Sequence, residues 1–359
     1  MVCDRWYAEG RNGDGGEVSC KLRVKSIGVE VKRLFALAVC VCAVAAETAF
    51  GGNMNCGLWF DDKGHHINAH GGSVLKDGDA WYWFGEHKIY GDFGNRAYVG
   101  VHCYSSENLV DWTDQGIALS VTNEVGHDIE SGCIIERPKV IRNAKTGKYV
   151  MYFHLELKGK GYKTARVGIA LADKVTGPYR FLKSLQPNGY ESRDQTVFVD
   201  NDGAAYHFFS SNHNQTMRII RLSDDYLSHT KTEAVMADGD KTEAPAICYK
   251  DGWYFLIGSG CTGWMSNPAR SYRARSIMGQ WERLENPCVR VNPANGLGPE
   301  RTWGCQSTFI LKVADDDYIA MFDMWRPKNA VDGRYAWIPI RFRKSGKIEI
   351  HWKDIVEPR

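Results

Sequence analysis

Five stretches of this chain repeat one short plan, spaced some fifty to seventy residues apart. They begin at Asn68-Ala69-His70-Gly71-Gly72, Glu136-Arg137-Pro138-Lys139, Ser192-Arg193-Asp194-Gln195, Glu243-Ala244-Pro245-Ala246 and Cys305-Gln306-Ser307-Thr308. Each runs into a short apolar strand, a turn, and a second strand rich in Tyr, Trp and Phe. A small sheet cannot bury both of its faces alone, whereas copies set radially about an axis can. The expectation is an all-β protein, a five-bladed β-propeller. Charged and amide side chains near the start of each innermost strand then converge on one central pocket, although they are far apart in sequence.

The turns support this reading. In the first unit Asp77-Gly78 separates the strands 72–75 and 80–86, and Asp-Gly between two apolar runs marks a hairpin because the turn needs a residue that tolerates positive φ. A third strand at 97–104 and an edge near Trp112 complete it. The second unit offers strands at 139–142, 149–154 and 165–170, closed by Gly177-Pro178-Tyr179. The third offers 196–199 and 204–209 with 217–222 as its outer strand, and the fourth 246–249 and 253–257. The fifth offers 308–311 and 318–323, with closing strands at 335–340 and 348–352. No long helical period and no low-complexity linker interrupts the series. Residues 53–359 therefore read as one domain of five four-stranded blades.

A hydrophobic content of 43% with 25% charged residues suffices for a large core. A formal charge of +2 gives no reason to invoke nucleic acid or a membrane surface, and the chain is expected to act as a monomer. The unusual numbers are 12 Trp and 17 Tyr, which suit strand cores and also stacking on sugar faces. Residues 1–46 follow a different logic. After a polar start, Lys32-Arg33, an apolar run from Leu34 to Ala43 and a small-residue site around Ala43-Val44-Ala45-Ala46 have the anatomy of a secretory signal, too short to span a bilayer. The expected destination is secreted or periplasmic, with translation starting near Val29 or Val31. Beyond that leader lie Cys56, Cys103, Cys133, Cys248, Cys261, Cys288 and Cys305, an odd number with no zinc spacing among them.

The chemistry expected at the axis is that of paired carboxylates. Glu136 and Glu243 stand at equivalent points of two units, each followed at the second position by proline. Two carboxyls facing each other across a pocket are what glycosidic bond cleavage needs. One must stay protonated to donate to the leaving oxygen, and burial beside another carboxylate raises its pKa.

Six motifs in this order resemble the family 43 glycoside hydrolases, and within them the exo-β-1,3-galactanase (galactan 1,3-β-galactosidase) branch. They are Ile67-Asn68-Ala69-His70-Gly71-Gly72, Trp83-Phe84-Gly85-Glu86, Glu136-Arg137-Pro138-Lys139-Val140-Ile141, Ser192-Arg193-Asp194, Glu243-Ala244-Pro245 with Gly260-Cys261-Thr262-Gly263-Trp264, and Cys305-Gln306-Ser307-Thr308. The resemblance implies an inverting exo-acting hydrolase that releases galactose from the β-1,3-galactan of type II arabinogalactan. It implies Glu243 as general acid, and Gln306 as the residue that holds the attacking water directly or through its imidic tautomer. Glu136 would stabilise positive charge at the anomeric carbon, and Asp194 matches the acidic residue of the third blade. Glu86, Tyr162 and Thr262 match positions that hold galactose hydroxyls. Trp264 and Trp325 would form the pocket rim. Commoner members begin their first blade with a catalytic aspartate, and Asn68-Ala69-His70 stands there in this chain.

Other readings keep the fold and change the task. A pentose-releasing arabinofuranosidase or xylosidase differs only in pocket geometry. A retaining fructan-processing enzyme would need an aspartate where His70 lies. A non-catalytic sugar-binding propeller would have no use for a second buried carboxylate. No cofactor is required by any of them. Some relatives hold axial calcium, but no Asp-x-Asp-x-Asp loop appears here, so the expectation for metal is none. His70 and His154 are read as hydrogen-bonded core histidines near the axis.

Overall fold

A computed structural model describes residues 52–91 and 94–359, in which five antiparallel sheets follow one another around a ring. The expected leader and the segment before it lie outside the described residues. Blade one comprises His70–Asp77, Ala80–His87, Gly100–Ser106 and Thr113–Ser120. Blade two comprises Cys133–Arg142, Tyr149–Glu156, Arg166–Ala172 and Arg180–Leu185, and blade three Gln195–Val199, Ala205–Ser211, Thr216–Leu222 and His229–Met236. Blade four is Thr242–Lys250, Trp253–Gly260, Arg270–Ala274 and Glu282–Leu284, and blade five Gln306–Ala314, Asp317–Met324, Arg334–Phe342 and Ile348–His351. In every blade the first strand is innermost.

Several sequence expectations are refined. The four-stranded rule holds for blades one, three and four, while blades two and five gain a fifth strand. Arg96–Ala97 leaves blade one and pairs with Ile134 and Cys133 of blade two, so the expected strand 97–104 is split between two sheets. Cys288–Val289 adds to blade five in parallel with Ile350 and His351. The outer strand of blade three is His229–Met236, one strand beyond the run at 217–222, and that of blade two lies just past Tyr179. Polar edge strands carry little of the alternation that makes inner strands visible.

Burial explains the ring. Five apolar clusters fill the five junctions between neighbouring blades, so each sheet covers the face its neighbour leaves open. The junction of blades five and one is rich in tryptophan: Trp59, Trp83, Trp112 and Trp337 pack edge to face with ring centroids 4.8–5.9 Å apart. Among the described tryptophans, only Trp264 and Trp325 reach the central pocket. The ring is clasped by Asn53–Met54, which pairs antiparallel with Ile355–Val356. All seven described cysteines are free, although the thiols of Cys56 and Cys305 approach to 3.6 Å.

One irregularity recurs where it matters. The register between first and second strands slips just after His70, Glu136 and Glu243, and the following residues Gly71, Arg137 and Ala244 have φ of 61°, 54° and 55°. A bulge of this kind re-aims the preceding side chain. Glu136 and Glu243 thus sit inside their strands, not ahead of them, and a left-handed residue before proline turns each carboxyl out of the ladder.

Candidate active site

The pocket at the start of the inner strands has a volume of about 260 Å³. Around it stand Glu86 from blade one, Glu136 from blade two, Asp194 from the entry to blade three, Glu243 from blade four and Gln306 from blade five. His154, Tyr162 and Arg137 complete its floor, and Trp264 and Trp325 meet edge to face at 5.9 Å on its rim. A larger cavity of about 560 Å³ opens among the far ends of the same strands, lined by groups such as Leu75, Ile141, Val199, Tyr249 and Leu311. It carries none of these carboxylates, so the smaller cavity is where chemistry can occur.

Glu136 and Glu243 are driven in opposite directions. Burial alone would raise Glu136, but His154 at 3.1 Å, Lys88 and the Tyr162 hydroxyl outweigh it and hold the carboxyl at about 2. His154 lies between Glu136 and Glu156, 3.1 Å from each. Burial lowers its affinity for a proton, yet the two carboxylates raise it to about 9. Glu243 has no such cationic partner in contact. Burial and the nearby Asp194 carboxylate push it up to about 7, against the weaker pull of Arg137. The pocket therefore contains one carboxylate that stays ionised and one carboxyl that stays protonated into the neutral range.

The other carboxylates are tied down. Glu86 is buried, accepts the Arg137 backbone N–H at 3.0 Å and pairs with Lys88 at 2.5 Å; burial raises its pKa, against the pull of Lys88. Asp194 pairs with the Arg137 guanidinium at 3.1 Å and accepts the Ala244 N–H at 3.0 Å, which links the blade-three carboxylate to the bulge beside Glu243. Gln306 lies between the two halves: it donates to Glu243 Oε1 at 2.9 Å and accepts from Arg137 and Trp325.

Of the residues singled out by sequence, Glu86, Glu136, Tyr162, Asp194, Glu243, Trp264, Gln306 and Trp325 are brought together. Thr262 is not. Its hydroxyl donates to the Met265 carbonyl and accepts from Asn267, so it holds its own loop closed and does not line the pocket. His70 is a core residue stacked on Tyr335, whereas His154 reaches the pocket. Sequence reasoning missed the part played by Arg137, which in its motif looked like a bystander to Glu136. It also missed Asn214, whose Nδ2 donates to Glu243 Oε2 at 3.2 Å from the left-handed run Asn212-His213-Asn214; two asparagines within three polar residues were the available signal.

The donor set does not suit a metal. Ligand atoms of Glu136, His154 and Asp194 lie within 4.8 Å of one another, but both ring nitrogens of His154 already face carboxylates, Glu136 and Glu156, at 3.1 Å, and Asp194 is paired with the Arg137 guanidinium at 3.1 Å, so these donors are committed to partners within the protein. Deeper among the inner strands, the buried Lys139 amine donates to the Gly71 carbonyl at 2.6 Å and the Arg137 guanidinium to the Ser307 carbonyl at 3.0 Å.

Comparisons with known proteins agree with this geometry. The profile of glycosyl hydrolases family 43 matches residues 68–347. A solved family 43 β-1,3-galactosidase bound to galactodeoxynojirimycin is 43% identical, with a TM-score of 0.81, covering 85% of this chain and all of that one. An exo-β-1,3-galactanase from Phanerochaete chrysosporium, solved with β-1,3-galactotriose, is 36% identical with a TM-score of 0.76, covering 85% of this chain and 68% of that one. An extracellular endo-α-(1→5)-L-arabinanase of Bacillus subtilis is 23% identical over 67% of this chain and 72% of its own length.

Proposed function

The chain belongs to glycosyl hydrolase family 43, and from that premise we propose that it removes terminal galactose from β-1,3-galactan by single displacement with inversion. The observation that carries this reading is the split between two carboxyl groups in one small pocket, Glu243 at about 7 and Glu136 at about 2. In the proposed reaction Glu243 gives its proton to the leaving glycosidic oxygen. Ionised Glu136 offsets the positive charge that develops at the anomeric carbon. Water adds from the opposite face, and its proton passes to a pocket carboxylate held ionised. In this reading Glu86, Asp194 and Tyr162, which line the pocket, receive sugar hydroxyls, and Trp264 covers a sugar face.

The choice of galactose rests on the similar structures, which are named as β-1,3-galactosidases and exo-β-1,3-galactanases at 36–43% identity. Exo action is taken from the same source, since several of the similar structures are named as exo-β-1,3-galactanases. Among the described residues no helix is long and apolar enough to cross a membrane. The signal-like segment at 31–46 and the likeness to an extracellular arabinanase support an exported enzyme acting on polysaccharide outside the cytoplasm.

The test is proton NMR during hydrolysis of β-1,3-galactobiose and debranched arabinogalactan. Early α-galactose is expected, which reports linkage, exo action and inversion together. Early β-galactose would overturn the inverting mechanism. No galactose, with release from arabinosides or xylosides run alongside, would overturn the substrate.

A further inference from the structure

Cys56 and Cys305 are 249 positions apart in the chain, yet their thiols lie 3.6 Å from each other. Among the described residues they are the only cysteines hydrogen-bonded to one another. Each is aimed by a backbone that is pinned. Cys56 stands in the tight turn from Met54 to Gly57, closed by the Gly57 N–H on the Met54 carbonyl at 2.9 Å, and its own N–H donates to the Tyr335 carbonyl of blade five at 2.7 Å. Cys305 follows the turn Pro299–Gly304, in which Thr302 and Trp303 are left-handed, and its N–H donates to the Thr302 carbonyl at 2.8 Å. Both side chains pack on the apolar cluster between blades four and five. Cys56 has a φ of 63°, a conformation that favours glycine, so what its side chain touches must offset that strain.

We propose that under oxidising conditions Cys56 and Cys305 form a disulfide that closes the propeller ring covalently. Sulfurs already in contact need to approach by only about 1.5 Å to reach bonding distance. The reaction is thiol–disulfide exchange with an external disulfide, RSSR. The thiolate of Cys56, the half-buried partner, attacks one sulfur of RSSR, and RS⁻ leaves and takes up a proton. Cys305 Sγ then attacks Cys56 Sγ in the mixed disulfide, and the second RS⁻ leaves in the same way. Two cysteine thiols are oxidised, one external disulfide is reduced to two thiols, and both protons end on those thiols. Cys305 is 2% exposed, so the finished bond is shielded from reductant. The oxidising setting is the one that the export proposed above supplies. The loop from 56 to 305 encloses all of blades one to four, and the bond ties the segment ahead of the first repeat to the start of the inner strand of blade five. An enclosed loop of that length removes much freedom from the unfolded chain. The pairing also accounts for the odd number of cysteines: Cys103, Cys133, Cys248 and Cys288 are buried apolar side chains, and Cys261 is an exposed thiol at the pocket.

Peptide mapping tests the pairing without reference to activity or location. The full chain, purified reduced, would be exposed to oxidised glutathione both as the folded protein and during refolding. Free thiols would be alkylated in denaturant, and the protein digested unreduced with trypsin and chymotrypsin for mass spectrometry. The expected product is the Cys56 peptide joined to the Cys305 peptide, two hydrogens lighter than their sum, with Cys103, Cys133, Cys248, Cys261 and Cys288 alkylated. Cys56 and Cys305 both alkylated after either treatment would overturn the proposal. So would a link from Cys305 to Cys288, which lies in the same apolar cluster. Thermal melts test the closure of the ring. Oxidised wild type should melt several degrees above its reduced form and above Cys56→Ser, whose own melt should not respond to reductant. A linked protein whose melt does not fall on reduction would show that the bond does not secure the ring.

Discussion

Two glutamates at equivalent points of two blades end with opposite protonation because of what touches them. Glu136 meets a protonated imidazole and a phenol, while Glu243 meets two amides and the field of Asp194. The acid must be protonated to act, so kcat/KM should be level below neutrality and fall tenfold per pH unit above about 7, as a pH–rate profile on β-1,3-galactobiose would show. The same shift has a stability sign. The folded state holds the Glu243 proton up to about 7 and the unfolded chain only to its ordinary carboxyl value, so this residue lowers stability as pH rises through that window. Glu136 does the reverse: its contribution is present above the ordinary value and is lost as pH falls towards about 2. His154→Gln keeps a hydrogen-bond donor but removes the positive charge. Glu136 should then titrate higher, and the acid limb of the same profile should move up in pH. These carboxylates were legible in the sequence because the repeat put them in register. Arg137 was not, because its importance lies in contacts with Gln306 and Ser307, about 170 positions away in the chain.

At the scale of the strand, the device is the bulge. A regular ladder would send alternate side chains to the two faces of a blade, and none along the axis into the pocket. The left-handed residues Gly71, Arg137 and Ala244 break that alternation at the point where each inner strand enters the pocket. Gly71 is the most constrained of the three, since a Cβ there would lie 2.3 Å from Glu86 Oε1 at a φ of 61°. Gly71→Ala should therefore destabilise the protein by about 1–3 kcal/mol and push Glu86 out of place. The expected kinetic effect is a raised KM with a smaller change in kcat, measured beside a thermal melt. A melt and a KM both at wild-type values would show that Glu86 does not depend on this bulge. Inner strands were readable because both faces are covered and the apolar runs are continuous. The bulges were not, since a positive φ at arginine or alanine leaves no trace in composition, and proline at the next position points to extended backbone instead.

A propeller is a ring, and a ring built from consecutive sheets has one seam. Here the seam joins blades five and one, and the chain secures it with residues that precede the first repeat and follow the last. Asn55 does much of this through one side chain. Its Oδ1 accepts the Trp337 N–H at 2.7 Å, and its Nδ2 donates to the carbonyls of Trp337 at 3.3 Å and Lys353 at 3.0 Å. The Asn53–Met54 strand, the tail at 353–356 and the third strand of blade five are thereby held together. Sequence repeats announced five blades and a closed ring, but a clasp outside the repeats has no counterpart in the other units and so no pattern to reveal it. Asn55→Ala leaves the Trp337 N–H and two carbonyls without their partner in a buried place, at about 2–4 kcal/mol in total. The melting temperature should drop by several degrees while kcat on β-1,3-galactobiose stays within about twofold below the melt, because the five inner strands that carry the pocket remain packed on one another. A fall in kcat that matches the fall in stability would mean that the seam also sets the alignment of Gln306 and Glu243, which lie on the two blades nearest to it on one side.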